Sequence, residues 1–445
     1  MTTAHSHQRA FILEVMGRNC GYLALSTAIA SSADWVFVPE DPPLEGWEDQ
    51  MCRKIKHSRK YGNRLNIIIV AEGAIDRDGK PITSSYIKTI CSERMNLDTR
   101  VTVLGHVQRG GRPSAFDRVL ATRMGSEAAI ALLEAKENTP AYVISLQGNQ
   151  MVRVPMMEAV SQTKEVATAI EAKDWVRVAK LRGKSFERNI KMYHALGANI
   201  PVDALPAGIT GVKLGVVNIG APAGGGNAAV RAVVRTCINN NVTPAVIRNG
   251  IGGLILPNNV HEFKWWDVRN FIQHGGTNIG TSRKLPSDHG IQNIMDALKA
   301  FRMSGLLIIG GFEACMAARE LANAGCKIPI IVIPATLSNN IPGTELTIGA
   351  DTALNAVVDA CDKIRTSATS TKGRVFIVET MGGYCGYLSC LAGLASGADS
   401  VYINEQPQSI NDILRNISHL SKKVLSKKYT KNNCYTKVLS NLRGL

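Results

Sequence analysis

The stretch that decides the fold is Phe11-Ile-Leu-Glu-Val-Met-Gly-Arg-Asn-Cys-Gly-Tyr-Leu23, which returns later as Phe376-Ile-Val-Glu-Thr-Met-Gly-Gly-Tyr-Cys-Gly-Tyr-Leu388. When the two stretches are extended to Glu40 and Glu405, 15 of 30 aligned positions are identical at an offset of 365 residues, which is 376 minus 11. Chance does not give such identity at one fixed offset, so the chain contains parts of two copies of one domain.

The offset also predicts how much of each copy is present. Met1 corresponds to about residue 366, in the middle of the second copy, and the second copy begins near Gly211. Two whole copies need roughly 700 residues, twice the repeat offset, whereas this chain has 445. We therefore expect a piece of a longer protein, with the back of copy one and the front of copy two. The alternative is a genuinely short chain.

The expected division has four parts. Copy one takes residues 1–183, a connector takes 184–210, copy two takes 211–428, and a divergent basic tail takes 429–445. The tail offers polar Lys431-Asn-Asn-Cys-Tyr-Thr-Lys437 where copy one has the apolar run Asn66–Val70. We therefore expect that the tail does not complete the sheet of copy two.

Short apolar runs alternate with helical patterns along both copies. Asn66–Val70 and Leu306–Ile309 are typical of buried strands, and Ala115–Leu133 and Asn227–Asn239 of helices. This alternation predicts an α/β fold with doubly wound, mostly parallel sheets made of Rossmann-like βα units.

Composition and charge exclude several classes of protein. Apolar residues make up 45% of the chain and charged residues 20%, which is an ordinary globular balance. Of the net charge of +15, the stretch from Asn411 onward carries +7 (eight basic residues and one acidic), and no nucleic-acid-binding module is recognised, so a solvated tail is favoured over RNA binding. No apolar run reaches 18 residues, and the ten cysteines have no C-x-x-C spacing. We expect no membrane partner and free thiols in a reducing cytoplasm.

Glycine-rich loops follow predicted strands in copy two. Gly220-Ala-Pro-Ala-Gly-Gly-Gly226 lies between a strand and a helix, where backbone N–H groups can face an anion, although a plain tight turn explains it equally well. Its spacing fits neither a dinucleotide-binding fingerprint nor a Walker A loop, which excludes a nicotinamide oxidoreductase. Gly275–Arg283, Gly310–Ala314 and Pro334–Asn340 follow other strands. Because such sheets bind ligands at the carboxyl ends of their strands, these loops predict a phosphorylated ligand.

Copy one carries a second set of polar residues near predicted strand ends. Met16-Gly-Arg18, Ala71-Glu-Gly73 and Gly105-His-Val-Gln-Arg-Gly-Gly111 supply arginine and histidine donors for phosphate and a carboxylate for a sugar hydroxyl. Taken singly, each residue is equally compatible with an ordinary surface arginine or a hydrogen-bonded histidine.

These motifs, with Asn227-Ala-Ala-Val-Arg231, Gly310-Gly-Phe-Glu-Ala314 and Met381-Gly-Gly-Tyr-Cys-Gly-Tyr387, resemble an ATP-dependent 6-phosphofructokinase of the animal type over about residues 2–428. The resemblance implies an N-terminal half that transfers phosphate from MgATP to the 1-hydroxyl of fructose 6-phosphate in glycolysis. It also implies an allosteric C-terminal half that binds fructose 2,6-bisphosphate, and a homo-oligomer, tetrameric in the family.

The resemblance assigns two sets of site residues. Those expected to bind fructose 6-phosphate are Arg9, Met16, Gly17, Arg18, Glu72, Arg100, His106 and Arg109, with Arg9 and Arg100 reaching across a subunit interface. Those expected to bind the bisphosphate effector are Arg283, Thr336, Leu337, Ser338, Asn339, Asn340, Arg374, Met381, Gly382 and Gly383.

The resemblance also implies that the catalytic base and the ligands of ATP and Mg²⁺ are not in this chain. In the family these groups come from three aspartate-containing segments, which are expected upstream of Met1. At the matching positions copy two has Ser338 and Asn340, Pro222 and Phe312. We therefore expect no catalytic residue here and no activity from this chain alone. The alternative function is a non-catalytic, sugar-phosphate-binding regulatory chain that joins full-length subunits.

Overall fold

A computed structural model describes residues 9–63, 65–197, 211–370, 375–425 and 435–440. Its elements alternate between strand and helix, and all strand pairs but two are parallel, which confirms the predicted α/β class. None of the helices within these ranges is both long and apolar enough to cross a bilayer.

The elements before the connector belong to copy one. Its strands are β1 (Ala10–Val15), β2 (Trp35–Phe37), β3 (Asn66–Ala71), β4 (Thr99–Val103), β5 (Tyr142–Gln147) and β6 (Gln150–Pro155). Its helices are α1 (Tyr22–Ser31), α2 (Trp47–Lys60), α3 (Ser84–Met95), α4 (Ala115–Leu133), α5 (Met156–Glu171), α6 (Trp175–Leu181) and α7 (Lys184–Gly197).

A four-stranded parallel sheet in the order β2-β3-β1-β4 forms the centre of copy one. Strand β3 is apolar on both faces because both faces are covered. Ile68 and Val70 pack against α2 and α3, while Ile69 and Ala71 pack against α1. The sheet is therefore doubly wound, as predicted. Strands β5 and β6 form a separate antiparallel hairpin.

The remaining elements belong to copy two. Its strands are β7 (Lys213–Ile219), β8 (Thr243–Ile247), β9 (Val260–Glu262), β10 (Gly305–Gly310), β11 (Ile330–Pro334), β12 (Val375–Thr380), β13 (Ser400–Tyr402) and β14 (Tyr435–Ser440). Its helices are α8 (Gly226–Asn239), α9 (Ile291–Ala300), α10 (Phe312–Asn323), α11 (Ala350–Ser370), α12 (Tyr387–Ser396) and α13 (Ile410–Leu425).

Copy two contains two sheets. The larger has the order β11-β10-β7-β8-β9, with only the short edge strand β9 antiparallel. Helices α9 and α10 cover one face and α8 covers the other, burying Ile308 and Val216 on opposite sides. The smaller sheet has the order β12-β14-β13 and is parallel.

The smaller sheet of copy two corrects the prediction for the tail. Strand β14 lies between β12 and β13, just as β3 lies between β1 and β2, so residues 435–440 do complete this sheet. The offset between Asn66 and Tyr435 is 369 rather than 365, so the strand lies four residues beyond the fixed-offset alignment. A fixed offset of 365 places the counterpart of β3 at the polar run that begins at Lys431, which is why the sequence predicted no strand there.

The connector is also more ordered than the division at residue 184 implied. Residues 184–197 form helix α7, and Phe186 is 5% exposed against the core of copy one. The first part of the connector therefore belongs structurally to copy one. Residues 198–210 lie outside the described residues.

Candidate functional site

The carboxyl ends of three neighbouring strands bring the copy-one loops together. The amide of Glu72, after β3, donates to the carbonyl of Val15 at 3.0 Å, and the amide of Leu104, after β4, donates to the carbonyl of Glu14 at 3.1 Å. Because β1 lies between β3 and β4, Met16, Glu72 and Leu104 leave the sheet side by side. This is the edge at which parallel sheets bind ligands.

The Met16–Gly21 loop is held at this edge by close backbone packing. A Cβ atom at Gly73 would lie 1.7 Å from the carbonyl oxygen of Arg18, so only glycine allows these two backbones to touch. Gly17 has a φ of +143°, a conformation that glycine adopts readily. The backbone of the loop that carries Arg18 therefore packs directly on Gly73.

Gln108 is a site residue that sequence reasoning did not single out. Its Oε1 accepts from the Met16 amide at 3.3 Å, and its Nε2 donates to the Gly105 carbonyl at 3.1 Å. The side chain ties the Met16–Gly21 loop to the turn that carries His106 and Arg109. The only signal for it in the sequence was its place inside the Gly105–Gly111 motif.

Six of the eight predicted sugar-phosphate residues therefore share one edge of the sheet. They are Met16, Gly17, Arg18, Glu72, His106 and Arg109. The side chains of Arg18, Glu72, His106 and Arg109 are open to solvent. Two arginines, a histidine and one carboxylate suit a ligand that carries both phosphate and hydroxyl groups.

The other two predicted residues lie at the opposite end of the strands. Arg9 precedes β1, seven residues before Met16, and Arg100 of β4 lies level with Phe11, five residues before Met16. At 3.3 Å per strand residue they are about 23 Å and about 16 Å from Met16. Both guanidinium groups bind the Asp98 carboxylate, Arg9 Nε at 2.5 Å and Arg100 Nε at 3.3 Å. The arginines hold the pKa of Asp98 below its usual value. Within one chain they cannot reach the ligand edge.

The predicted effector residues of copy two meet in a similar way. A Cβ at Gly383, in the loop after β12, would lie 3.2 Å from Ser338 Oγ and 3.3 Å from Asn340 Nδ2, in the loop after β11. Asn339 shapes the loop after β11 by accepting from the Thr347 amide at 2.7 Å, and Thr336 Oγ1 accepts from the amide of Ser338 at 3.3 Å.

The remaining effector residues vary in position. Leu337 lies in the loop after β11, and Met381 and Gly382 lie in the loop after β12. Arg283 is 71% exposed, with Nε 3.8 Å from Glu313 Oε1, and it borders the same edge from the Gly275–Arg283 loop. Arg374 lies outside the described residues.

Pro222 and Phe312, the positions of copy two that match aspartates of the family, do not fit Mg²⁺. Phe312 begins α10 with 59% of its surface exposed, and Pro222 lies in the loop before α8, so neither offers an oxygen ligand from its side chain. Over the described ranges no three His, Cys, Asp or Glu side chains cluster closely enough to hold a metal ion.

A charged cavity of about 70 Å³ between the two copies was also missed. Arg231 and Arg235 of α8 face Asp34 and Lys54 of copy one, and within the described part of the chain the Nε atoms of both arginines find no hydrogen-bond partner. Burial lowers the pKa of Arg231 to about 10, of Arg235 to about 9 and of Lys54 to about 8. Burial also raises the pKa of Asp34. The sequence signal for this cavity was the pair Arg231 and Arg235, which lie one helical turn apart.

A second contact between the copies lies on α4. Arg118 forms a two-point ion pair with Asp362 of α11, Nη1 to Oδ1 at 3.0 Å and Nη2 to Oδ2 at 2.7 Å. The Asn355 side chain accepts from the Ala115 amide at 3.0 Å at the start of α4. The helix that follows the Gly105–Gly111 turn is therefore anchored on copy two.

Comparisons with known proteins agree with this fold. A family model described as phosphofructokinase matches residues 1–132 and 213–435. The chain is 52% identical over 428 residues to the liver-type ATP-dependent 6-phosphofructokinase of Rattus norvegicus, which covers 95% of this chain and 54% of that protein. It is 51% identical over 429 residues to the human platelet type, with the same coverage.

Solved structures give the same result. The phosphofructokinase of Saccharomyces cerevisiae superposes with a TM-score of 0.94 at 41% identity, over 99% of this chain and 58% of that one. The Pichia pastoris phosphofructokinase in the T-state gives 0.91 at 39% identity, over 97% of this chain and 49% of that one. The chain spans about half the length of the curated relatives it matches. The chain belongs to the phosphofructokinase family, of the kind found in animals and yeast.

Proposed function

We propose that this chain is part of a glycolytic, cytoplasmic ATP-dependent 6-phosphofructokinase that transfers phosphate from MgATP to the 1-hydroxyl of fructose 6-phosphate. The observation that carries the proposal is the convergence of Arg18, Glu72, His106 and Arg109 at one edge of the copy-one sheet. The arginines and the histidine bind the 6-phosphate, and Glu72 accepts from a sugar hydroxyl.

Copy two supplies a regulatory site for fructose 2,6-bisphosphate. Ser338 and Asn340 approach Gly383 there, and Arg283 supplies positive charge at the same edge. A serine is a poor base at neutral pH and an amide is none, so a sugar phosphate held here is bound but not phosphorylated.

Phosphoryl transfer needs a base and a metal-bound nucleotide, and over the described residues no group of His, Cys, Asp or Glu side chains could hold a metal ion. A polypeptide of these residues alone is therefore inactive, and its sugar-phosphate edge works in a larger assembly. Arg9 and Arg100, held together by Asp98, point to that assembly, because a cationic pair remote from its own site suits a neighbouring copy's ligand. The assembly is a homo-oligomer, a tetramer by analogy with the family, without nucleic-acid or membrane partners.

Titration of fructose 6-phosphate into the chain, followed by calorimetry, tests the proposal. Arg109→Ala should weaken binding by about 10- to 100-fold, the loss expected for one charge-assisted phosphate contact. Arg177→Ala is the matched control, since among the described residues its guanidinium pairs with Glu165 on the surface and its side chain is 58% exposed. Equal affinity in the parent and Arg109→Ala would contradict the assignment of this edge.

A coupled assay for ADP release tests inactivity in the same preparation. Turnover that depends on fructose 6-phosphate would show that a base and a nucleotide site are present after all. The second candidate function, a non-catalytic regulatory chain, is favoured by Ser338 and Asn340 alone. It predicts that the chain co-purifies with active full-length subunits and shifts their response to fructose 2,6-bisphosphate.

A further inference from the structure

Glu40 is a buried carboxylate that the proposed binding site does not use. Its side chain has no solvent exposure, and both oxygens accept from the Gly21 amide, Oε1 at 3.1 Å and Oε2 at 2.8 Å. A Cβ at Gly21 would lie 2.4 Å from Val38 Cβ and 2.8 Å from Oε2, so glycine is needed for this approach. Glu40 therefore fixes the far end of the loop that begins at Met16 and carries Arg18.

Arg182, at the end of α6, completes this arrangement. Its Nε donates to Glu40 Oε1 at 3.0 Å, and its Nη2 donates to the carbonyl of Asn19. One guanidinium thus neutralises the buried carboxylate and also holds the residue next to Arg18. Burial raises the pKa of Glu40, and the hydrogen bond from the Gly21 amide and the charge of Arg182 both oppose that rise.

Copy two provides an internal comparison. Glu405 binds the Gly386 amide through both oxygens, at 2.8 and 2.9 Å, as Glu40 does in copy one. Glu405 is exposed, whereas Glu40 is buried. The residue at the position of Arg18 is Gly383.

We propose that Arg182 is a positioning residue that orders the Met16–Gly21 loop, through Glu40 and Asn19, so that Arg18 meets a sugar phosphate. The proposal rests on the proposed function of this loop. It makes Arg182, which is 163 positions along the chain from Asn19, a determinant of ligand affinity. It also links the site to copy two, because the following helix α7 accepts from Arg235 of α8 at the Leu196 carbonyl, 3.4 Å away.

The test compares Arg182→Gln, the conservative Arg182→Lys and the control Arg177→Gln on the same helix. Hydrogen exchange of the Gly21 amide is measured without ligand, and fructose 6-phosphate affinity is measured by calorimetry. In Arg182→Gln we expect the Gly21 amide to exchange its hydrogen about 10-fold faster than in the parent. We expect the affinity for fructose 6-phosphate to fall by about the same factor, which is the effect of losing one charged hydrogen bond. Lysine should restore much of the affinity, because it keeps the charge.

Parent-like exchange and affinity in Arg182→Gln would overturn the proposal, as would equal losses in Arg177→Gln. Should Arg182→Gln fail to fold, Arg182→Gln combined with Glu40→Gln leaves no unpaired buried charge but still lacks the bond to Asn19. Unchanged Gly21 exchange in that double variant also refutes the clamp. If the parent binds no fructose 6-phosphate, the proposed function fails, whereas faster exchange in Arg182→Gln still supports the ordering of the loop.

Discussion

Replacing Gly73 by alanine should damage the sugar-phosphate edge more than any other single methyl group. The added Cβ would lie 1.7 Å from the Arg18 carbonyl oxygen and 2.5 Å from its carbonyl carbon. Real Cβ atoms essentially never approach closer than 3.0 Å, so the Arg18 backbone must move by at least 1.3 Å, which is 3.0 minus 1.7. The neighbour is backbone, so no side-chain rotation can relieve the contact.

Two results follow from this displacement. Overpacking of this kind lowers the free energy of unfolding by about 1–3 kcal/mol. A displaced Arg18 loses its charge-assisted contact with the phosphate, which weakens binding by about 10- to 100-fold. Urea denaturation and calorimetric titration of fructose 6-phosphate measure the two effects on one preparation.

Gly125→Ala is the matched control. Gly125 lies inside α4, and a Cβ there meets nothing within 4 Å. Alanine in a helix interior should raise the free energy of unfolding by about 0.5–1 kcal/mol and leave affinity unchanged. If Gly73→Ala behaves like Gly125→Ala, the close packing of the Arg18 loop on Gly73 is refuted.

Three further predictions concern charge. Arg118→Ala should lower the free energy of unfolding at pH 7 by about 1–2 kcal/mol. Because Arg118 holds the pKa of Asp362 below 3.8, this contribution is present above about pH 4 and fades as the pH falls through the lowered pKa; a loss that is constant down to pH 2 would contradict it. Lys54 has a pKa of about 8 in the folded chain and 10.5 in the unfolded chain, so between these pH values the folded chain binds fewer protons. The stability of the parent relative to Lys54→Met should therefore rise from pH 8 to pH 10.5, which thermal melts at several pH values can check. Asp98→Asn should leave stability unchanged, since the carboxylate is exposed, but should free Arg9 and alter fructose 6-phosphate affinity only in the oligomer; an equal change in a monomeric preparation would exclude the subunit-bridging role.

The repeat made most of the fold predictable. Ala115–Leu133 forms a helix with the predicted bounds, and the strand predicted at Asn66–Val70 extends by one residue to Ala71. Polar loops at the ends of parallel strands must share one edge, so the grouping of Arg18 with Glu72 and His106 followed from local sequence alone. The contact of Gly73 with the Arg18 carbonyl did not, because it depends on a backbone distance.

Features that depend on contacts between distant segments could not be predicted. Arg231 and Asp34 are nearly 200 positions apart, and only packing of copy two on copy one brings them to one cavity. Arg182 is 142 positions from Glu40 and lay in a region assigned to no site. The β14 strand was missed because a four-residue displacement places polar residues where the repeat demanded apolar ones.

The place of β14 has a consequence for synthesis on the ribosome. Strands β12 and β13 share no ladder with each other, and each bonds instead to β14, which is made after both. Chains emerge at about 5–20 residues per second. Translation of the nearly forty residues from Tyr402 to Ser440 therefore takes roughly two to eight seconds. The smaller sheet cannot form until then, and the edges of β12 and β13 stay unpaired. During that interval β12 and β13 present unpaired edges, the state in which nascent chains are most open to chaperones and to mispairing with their neighbours on a polysome.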